Sequence, residues 1–139
     1  MNTIDVDIVS AEGEIFSGPA TMVFLPAIEG DIGVAPRHAP LLTLLKAGEV
    51  RVQPPEGEEQ SFYVGGGALE IQPKKVTVLA DTAARARDLD EAAAQAAKQR
   101  AEEALSSSHD KLTQAEALAE LARAAAQLKL IEKLRKIRG

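Results

Sequence analysis

The chain has 139 residues, 45% of them hydrophobic, with no cysteine and a formal net charge of −5. That length holds one ordinary domain, or a small domain with an appendage. The lack of cysteine excludes a disulfide framework and a thiolate metal site, and the negative charge argues against sequence-independent nucleic-acid binding, which needs a basic face.

The first half reads as strands. Ile4, Val6 and Ile8 alternate with Asp5, Asp7 and Val9, the period-two pattern of a half-buried strand. Met22-Val23-Phe24-Leu25 ends at Pro26, and Leu41-Leu42-Thr43-Leu44-Leu45 ends at Lys46-Ala47-Gly48. Val50 and Val52 alternate with Arg51 and Gln53, and a polar turn from Pro54 to Gln60 precedes Phe62-Tyr63-Val64. Leu69 and Ile71 alternate with Glu70 and Gln72; after the turn Pro73-Lys74-Lys75 comes Val76-Thr77-Val78-Leu79-Ala80. Short strands at this spacing predict an antiparallel sandwich or barrel. Gly65-Gly66-Gly67 is too flexible for a plain strand interior, and predicts a sharp bend or the close approach of another backbone.

The character changes near Asp81. Nine of the 10 Gly and all 7 Pro lie within residues 1–73; beyond them Ala dominates. This divides the chain into a β-sandwich domain over 1–84 and a helical domain over 85–139. Asp88 with Glu91 fits a capping box, so a helix should begin near Leu89 and run to about Leu105. Ser106-Ser107-Ser108-His109-Asp110 is a polar break. Thr113 with Glu116 gives a second capping box, for a helix reaching about Ile137. So short a break predicts an antiparallel hairpin.

The expected seams differ in kind. The first helix offers Leu89, Ala92, Ala93, Ala96, Ala97, Ala101 and Ala104; the second offers Leu118, Leu121, Ala122, Ala125, Leu128, Ile131 and Leu134. Ala favours helix but buries little, whereas a buried Leu or Ile contributes roughly 1.5–3 kcal/mol. The hairpin should therefore have stable helices and a thin interface, and its helices should detach and re-dock without melting.

Charge is uneven. Residues 1–80 carry 11 acids and 5 bases, whereas residues 129–139 carry Glu132 alone against Lys129, Lys133, Arg135, Lys136 and Arg138. One or two bases near a helix C-terminus answer the helix dipole; five in eleven residues point further, to an acidic partner. His38 and His109 are the only histidines. With no second ligand at metal spacing, His38 suits a structural hydrogen bond better than a metal. Ser108-His109-Asp110 is no catalytic triad, because triad members converge in space beside an oxyanion hole. The glycine run lacks the Lys-Ser/Thr ending of a phosphate loop, and no helix follows it. No enzyme reading finds a convergent titratable set.

Several stretches, in order, resemble the epsilon subunits of F-type ATP synthases. They are Val9-Ser10-Ala11-Glu12, Phe16-Ser17-Gly18, the long run from Glu29-Gly30-Asp31-Ile32-Gly33 through His38-Ala39-Pro40 to Thr43, Tyr63 to Ile71, and Val76 to Asp81. The resemblance covers nearly the whole chain. It implies a non-catalytic subunit at the foot of a rotor, joining the gamma subunit to the c ring. The loop matching Glu29, Gly30 and Asp31, with His38, would face the c ring, and a face and edge of the sandwich would pack on gamma. The hairpin would fold against the sandwich or extend beside gamma into the alpha/beta catalytic subunits, its basic tip then reaching acidic segments of the beta subunits and braking ATP hydrolysis. The implied location is the cytoplasmic face of a bacterial inner membrane, held peripherally through the complex. No apolar run approaches the ~20 residues of a membrane-spanning helix, and the N-terminus has no signal-type segment.

Some members of that family bind ATP on the folded hairpin through a Leu/Ile-Asp-x-x-Arg-Ala pattern. Here the segment is Leu89-Asp90-Glu91-Ala92-Ala93-Ala94, with Ala93 at the Arg position. Asp90, Arg100 and Arg123 match other positions, but Gln127 stands where a further Arg often sits. Losing a planar, multidentate donor removes a main source of phosphate affinity, so weak or absent ATP binding is expected, and no cofactor. Two other readings compete: a sensor of cellular ATP, against which Ala93 argues, and a sandwich module with a dimerising tail. The short break argues against the second and for a monomer in isolation.

Overall fold

A computed structural model describes residues 2–107 and 110–138, the side chain of Arg138 excepted. The chain forms two compact units, Met1–Arg85 and Ala86–Gly139.

The first unit has eight strands: β1 (Ile4–Ser10), β2 (Gly13–Ala20), β3 (Met22–Ala27), β4 (Gly30–Val34), β5 (Leu41–Gln53), β6 (Gln60–Ile71), β7 (Lys75–Ala80) and β8 (Ala83–Arg85). Hydrogen bonding runs β2-β1-β7-β6-β5-β3-β4, with β8 also on β6. The expected sandwich arises because β5 and β6 serve both layers. Gly67–Ile71 of β6 pairs with β7, whereas Phe62–Val64 pairs with β8. Pairing is antiparallel throughout except between β1 and β7, which are parallel; so distant a pair in sequence needs no tight turn to join it.

Lys46-Ala47-Gly48 is therefore no turn. It lies inside the 13-residue β5, and the Gly65–Gly67 run lies inside the 12-residue β6. Pro26 does not end its strand either. It lies in β3, and the β3–β5 register shifts between Phe24 and Ala27, where proline has no N–H to give the ladder. Strands β2, β4 and β8 are not apparent in the hydrophobic pattern.

The glycine run does what its flexibility suggests. Gly66 and Gly67 have φ of 104° and 142°, and a Cβ at Gly67 would lie 2.2 Å from the Leu79 carbonyl oxygen. The chain after β7 folds back here, with Gly65 N–H donating to Thr82 O at 2.8 Å and Asp81 N–H to Gly66 O at 2.9 Å. Between the layers sits one core that includes Ile4, Val6, Ile8, Val50, Phe62 and Leu69, each fully buried. Arg85 helps to fasten β8: its guanidinium donates to Gln60 Oε1 and to the Ile15 carbonyl, and lies over the Phe62 ring.

The second unit begins with a 3-10 turn, Ala86–Asp88, followed by α1 (Glu91–Ser107) and α2 (Lys111–Arg138). Both caps differ from expectation. Asp90, not Asp88, caps α1, its Oδ1 accepting from Ala93 N–H at 3.1 Å. Asp110, not Thr113, caps α2, accepting from Leu112 N–H at 3.2 Å and from the Thr113 hydroxyl at 3.1 Å. Asp is among the strongest N-caps, and here it starts α1 two residues later than the Asp88 pattern and α2 three residues earlier than the Thr113 pattern. Ser108 and His109 lie outside the described residues.

The α1 side of the seam is alanine. Ala94, Ala101, Ala117 and Ala124 are buried, with Ala97, Ala104, Leu121, Leu128, Ile131 and Leu134 half-buried, and Leu130 of α2 is buried as well. Ala92, Ala93, Ala96, Ala122 and Ala125 face outward, and Leu118 is 56% exposed. With Ala at so many positions the hydrophobic period is nearly flat, so antiparallel pairing and not the pattern selects the face. A buried methyl contributes only about 0.8 kcal/mol, so this interface is thin beside the Val- and Ile-rich core of the sandwich.

Gly67→Ala should destabilise the sandwich by about 2–3 kcal/mol in urea unfolding, since added bulk and positive φ both oppose it. Gly57→Ala should cost about 1 kcal/mol, because its φ is also positive but nothing lies within 4 Å of the added carbon.

Candidate functional site

Exposed large apolar side chains gather on one outer surface of the sandwich. Along β5, Leu42 and Leu44 are 73% and 57% exposed. In register, Leu44 stands opposite Ala68 of β6, Ala68 opposite Leu79 of β7, and Leu79 opposite Val9 of β1. Leu79 is 56% exposed, and so is Ile28 at 57%. Ile28 joins the row because its N–H donates to the Leu44 carbonyl at 2.9 Å. Isolated exposed leucines mean little, but a contiguous apolar row across neighbouring strands marks an interaction surface. The signal lay in the run Leu41 to Leu45. A strand with apolar residues at both parities is apolar on both faces.

A polar row flanks it. Glu70, Thr77 and Asp7 follow Leu42 across the sheet, with Ser17 beyond. Lys75 Nζ lies 2.9 Å from Asp7 Oδ2, and the Ser17 hydroxyl donates to Asp7 Oδ1 at 2.8 Å. The hydrogen bond from Lys75, then that from Ser17, holds the Asp7 carboxyl below its ordinary value.

The residues singled out for a rotor contact fall along β4, which ends the strand order. Glu29 is exposed in the two-residue turn between β3 and β4; Gly30 opens β4 with φ of 140°, and Asp31 is exposed on it. His38 is not beside them. It lies past the other end of β4, which is about 13 Å long at the rise of a strand. Its Nδ1 donates to the Ala39 carbonyl at 2.6 Å, and its N–H to Ala35 O at 3.2 Å. This is the structural hydrogen bonding expected of it. Arg37 beside it has φ of 70°, and its N–H donates to Pro73 O. Among the described residues, no three His, Asp or Glu side chains gather as a metal would need.

The basic tip resolves into two parts. Lys129, Lys133 and Lys136 are exposed and follow i, i+4, i+7 spacing, which aligns them on one helix face. Lys136 Nζ lies 3.4 Å from Glu132. Arg135 points elsewhere: its guanidinium pairs with Glu91, the first residue of α1. The Arg138 side chain lies outside the described residues.

The matched nucleotide positions do not form one cluster. Asp90 caps α1 through its side chain. Arg100 lies ten residues further, about 15 Å along the helix, and pairs with Glu120 of α2 at 3.4 Å. Arg123 is one turn beyond Glu120, and is half-buried. Gln127 is half-buried and Ala93 exposed.

No helix among the described residues is long and apolar enough to cross a membrane. Comparison with known proteins gives concordant matches over the whole length. A family model for the ATP synthase Delta/Epsilon chain beta-sandwich domain matches residues 3–86, and one for the Delta/Epsilon chain long alpha-helix domain matches residues 87–132. ATP synthase epsilon chains from Nitrosococcus oceani and Alkalilimnicola ehrlichii are each 64% identical. The first match covers 99% of this chain and 98% of the relative, the second 98% and 97%. Among solved structures, a chain in the Euglena gracilis mitochondrial ATP synthase, OSCP/F1/c-ring, matches with a TM-score of 0.71 at 18% identity. It covers 100% of this chain and 83% of that one. A chain of the Tetrahymena thermophila mitochondrial ATP synthase central stalk/c-ring matches with a TM-score of 0.64 at 9% identity, covering 92% and 96%. At those identities the likeness is one of fold.

Asp7→Asn should lower stability at neutral pH. A depressed carboxylate stabilises above its unfolded value near 3.9 and loses that contribution as pH falls through the folded value, so the gap from wild type should close below about pH 4 in pH-dependent urea unfolding. Asp90→Ala should cost the hairpin about 1 kcal/mol by circular dichroism melting, and Asp90→Ser should recover most of it.

Proposed function

The chain belongs to the ATP synthase epsilon family, and from that membership we propose that it links gamma to the c ring, couples proton flow to ATP synthesis and restrains ATP hydrolysis with its C-terminal helices. Epsilon chains are stalk subunits and not the catalytic ones. The observation that carries the proposal for this chain is the exposed apolar row Ile28, Leu42, Leu44 and Leu79, on a sandwich whose core is otherwise closed.

In this reading the row is the surface that gamma covers. Burying each such side chain contributes roughly 1.5–3 kcal/mol, enough for a permanent joint. The edge strand β4, with Glu29, Gly30 and Asp31 at one end and His38 past the other, faces the c ring. Polar groups suit that contact, because charges on a rim set orientation and register more than affinity. The tip cations Lys129, Lys133, Arg135, Lys136 and Arg138 meet acidic segments of the beta subunits when the hairpin opens. The complex sits on the cytoplasmic side of a bacterial inner membrane, this subunit being held there by its partners and monomeric when isolated.

ATP is not a ligand of consequence here. Asp90 is occupied as a cap, Arg100 answers Glu120 and Ala93 supplies no donor, so titration of the isolated chain should show no binding at micromolar ATP.

The test is ATP hydrolysis by the purified catalytic complex carrying the full chain or a version ending at Arg87. Truncation should raise hydrolysis several-fold while the complex stays assembled. Leu44→Glu, by contrast, should loosen the subunit from gamma. Unchanged hydrolysis after truncation would remove the brake and leave coupling alone.

A further inference from the structure

We propose that the Glu91–Arg135 ion pair is the latch of the helical hairpin, and that it sequesters a cation the braking form needs, so that a closed hairpin and a fully charged tip exclude one another. This rests on the braking role proposed above, and it names the regulation of that role.

Position comes first. Helices α1 and α2 are joined across 108–110, so that end of the hairpin cannot separate far. Glu91 and Arg135 lie at the other, open end, where separation must begin. Arg100 and Glu120 pair nearer the turn. Between the two pairs α1 offers only Ala94 and Ala97 to the half-buried Leu121, Leu128, Ile131 and Leu134 and the buried Ala124 of α2, so one side of the seam contributes single methyl groups.

Charge comes second. Glu91 sits in the first turn of α1 and Arg135 in the last turn of α2. An anion is favoured at a helix N-terminus and a cation at a C-terminus. Each partner is therefore welcome on its own helix, and the antiparallel arrangement brings the two together. The pair is open to solvent, with side-chain exposures of 63% for Arg135 and 46% for Glu91. Exposed pairs are weak and are screened by salt. A latch has to be weak, because a strong one would never release.

Identity of the cation comes third. Lys129, Lys133 and Lys136 share one exposed face whether or not the hairpin is closed, but Arg135 is turned to Glu91. Arg alone among these can grip a carboxylate through two parallel hydrogen bonds. An acidic segment of a partner would thus compete with Glu91 for the same guanidinium. Closing the hairpin withdraws this guanidinium from the tip, and opening it returns that donor.

The chain has no cysteine of its own, so spin labels at Gln95→Cys and Ile137→Cys report the open end directly in the isolated full chain. Glu91→Gln and Arg135→Gln should each raise the open population about two- to five-fold at low salt. The double variant should open no further than either single one, the signature of a shared interaction. Raising salt to about 1 M should open the wild type more than the variants, which keep only the Arg100–Glu120 pair to be screened. Helicity by circular dichroism should stay level, which separates unlatching from unfolding. In the catalytic complex, Glu91→Gln should brake more strongly than wild type because Arg135 is released, whereas Arg135→Gln should not. Additive effects of the two substitutions on the distance, or a wild-type distance indifferent to salt, would overturn the latch. A confirmed latch with hydrolysis indifferent to Glu91→Gln would instead overturn the link to braking, and a truncation at Arg87 without effect would overturn braking itself.

Discussion

At Gly67 two backbones meet with no room for a side chain between them, because the Leu79 carbonyl occupies the space a Cβ would take. Much of the sandwich is organised around that contact. It allows β6 to leave one layer and enter the other without breaking its pairing with β5, and Gly65 and Gly66 receive the chain as it turns from β7 into β8. One bent hairpin thus closes a two-layer core. The same pairing aligns Leu44, Ala68 and Leu79 across three strands on the outer surface. The close approach that shapes the core therefore also assembles the apolar row that a partner would cover.

The two units solve different problems with different side chains. The sandwich fills its interior with Val, Ile, Leu and Phe, and such residues resist separation. The hairpin lines the α1 side of its seam with alanine, which favours the helix but offers little bulk to the leucines of α2. Leu121, Leu128, Ile131 and Leu134 of α2 add apolar contact on one side, and exposed ion pairs, Arg100–Glu120 and Arg135–Glu91, cross the seam beside them. A rigid anchor and an appendage that can part without melting suit a subunit that must stay attached to a rotor while changing its regulatory state.

The sequence revealed the sandwich, the hairpin and the purpose of the glycine run, because each rests on a strong local signal: period-two alternation, helix-favouring composition and backbone freedom. It misled where two local signals competed. Lys46-Ala47-Gly48 looks like a turn, but pairing with β6 carries the strand through it. Thr113 and Asp88 look like caps, but Asp110 and Asp90 reach the first free amides. The seam was half legible, since leucines at 121, 128 and 134 mark it while alanines on every side do not. The functional surfaces were legible only in part. The resemblance pointed to Glu29, Asp31, His38 and the basic tip, but the apolar row exists only once β5, β6 and β7 are in register. That Arg135 differs from its lysine neighbours also needed the facing helix.

The central claim is that the hairpin is held far less firmly than the sandwich while its helices remain well formed. Native-state hydrogen exchange on the full chain tests it most directly, since it resolves local opening from global unfolding. The account predicts that the amides of α1 and α2 exchange orders of magnitude faster than those of β1, β6 and β7. It further predicts that Glu91→Gln and high salt speed exchange in the hairpin alone. Hairpin amides as protected as the core strands, exchanging only with global unfolding, would contradict it.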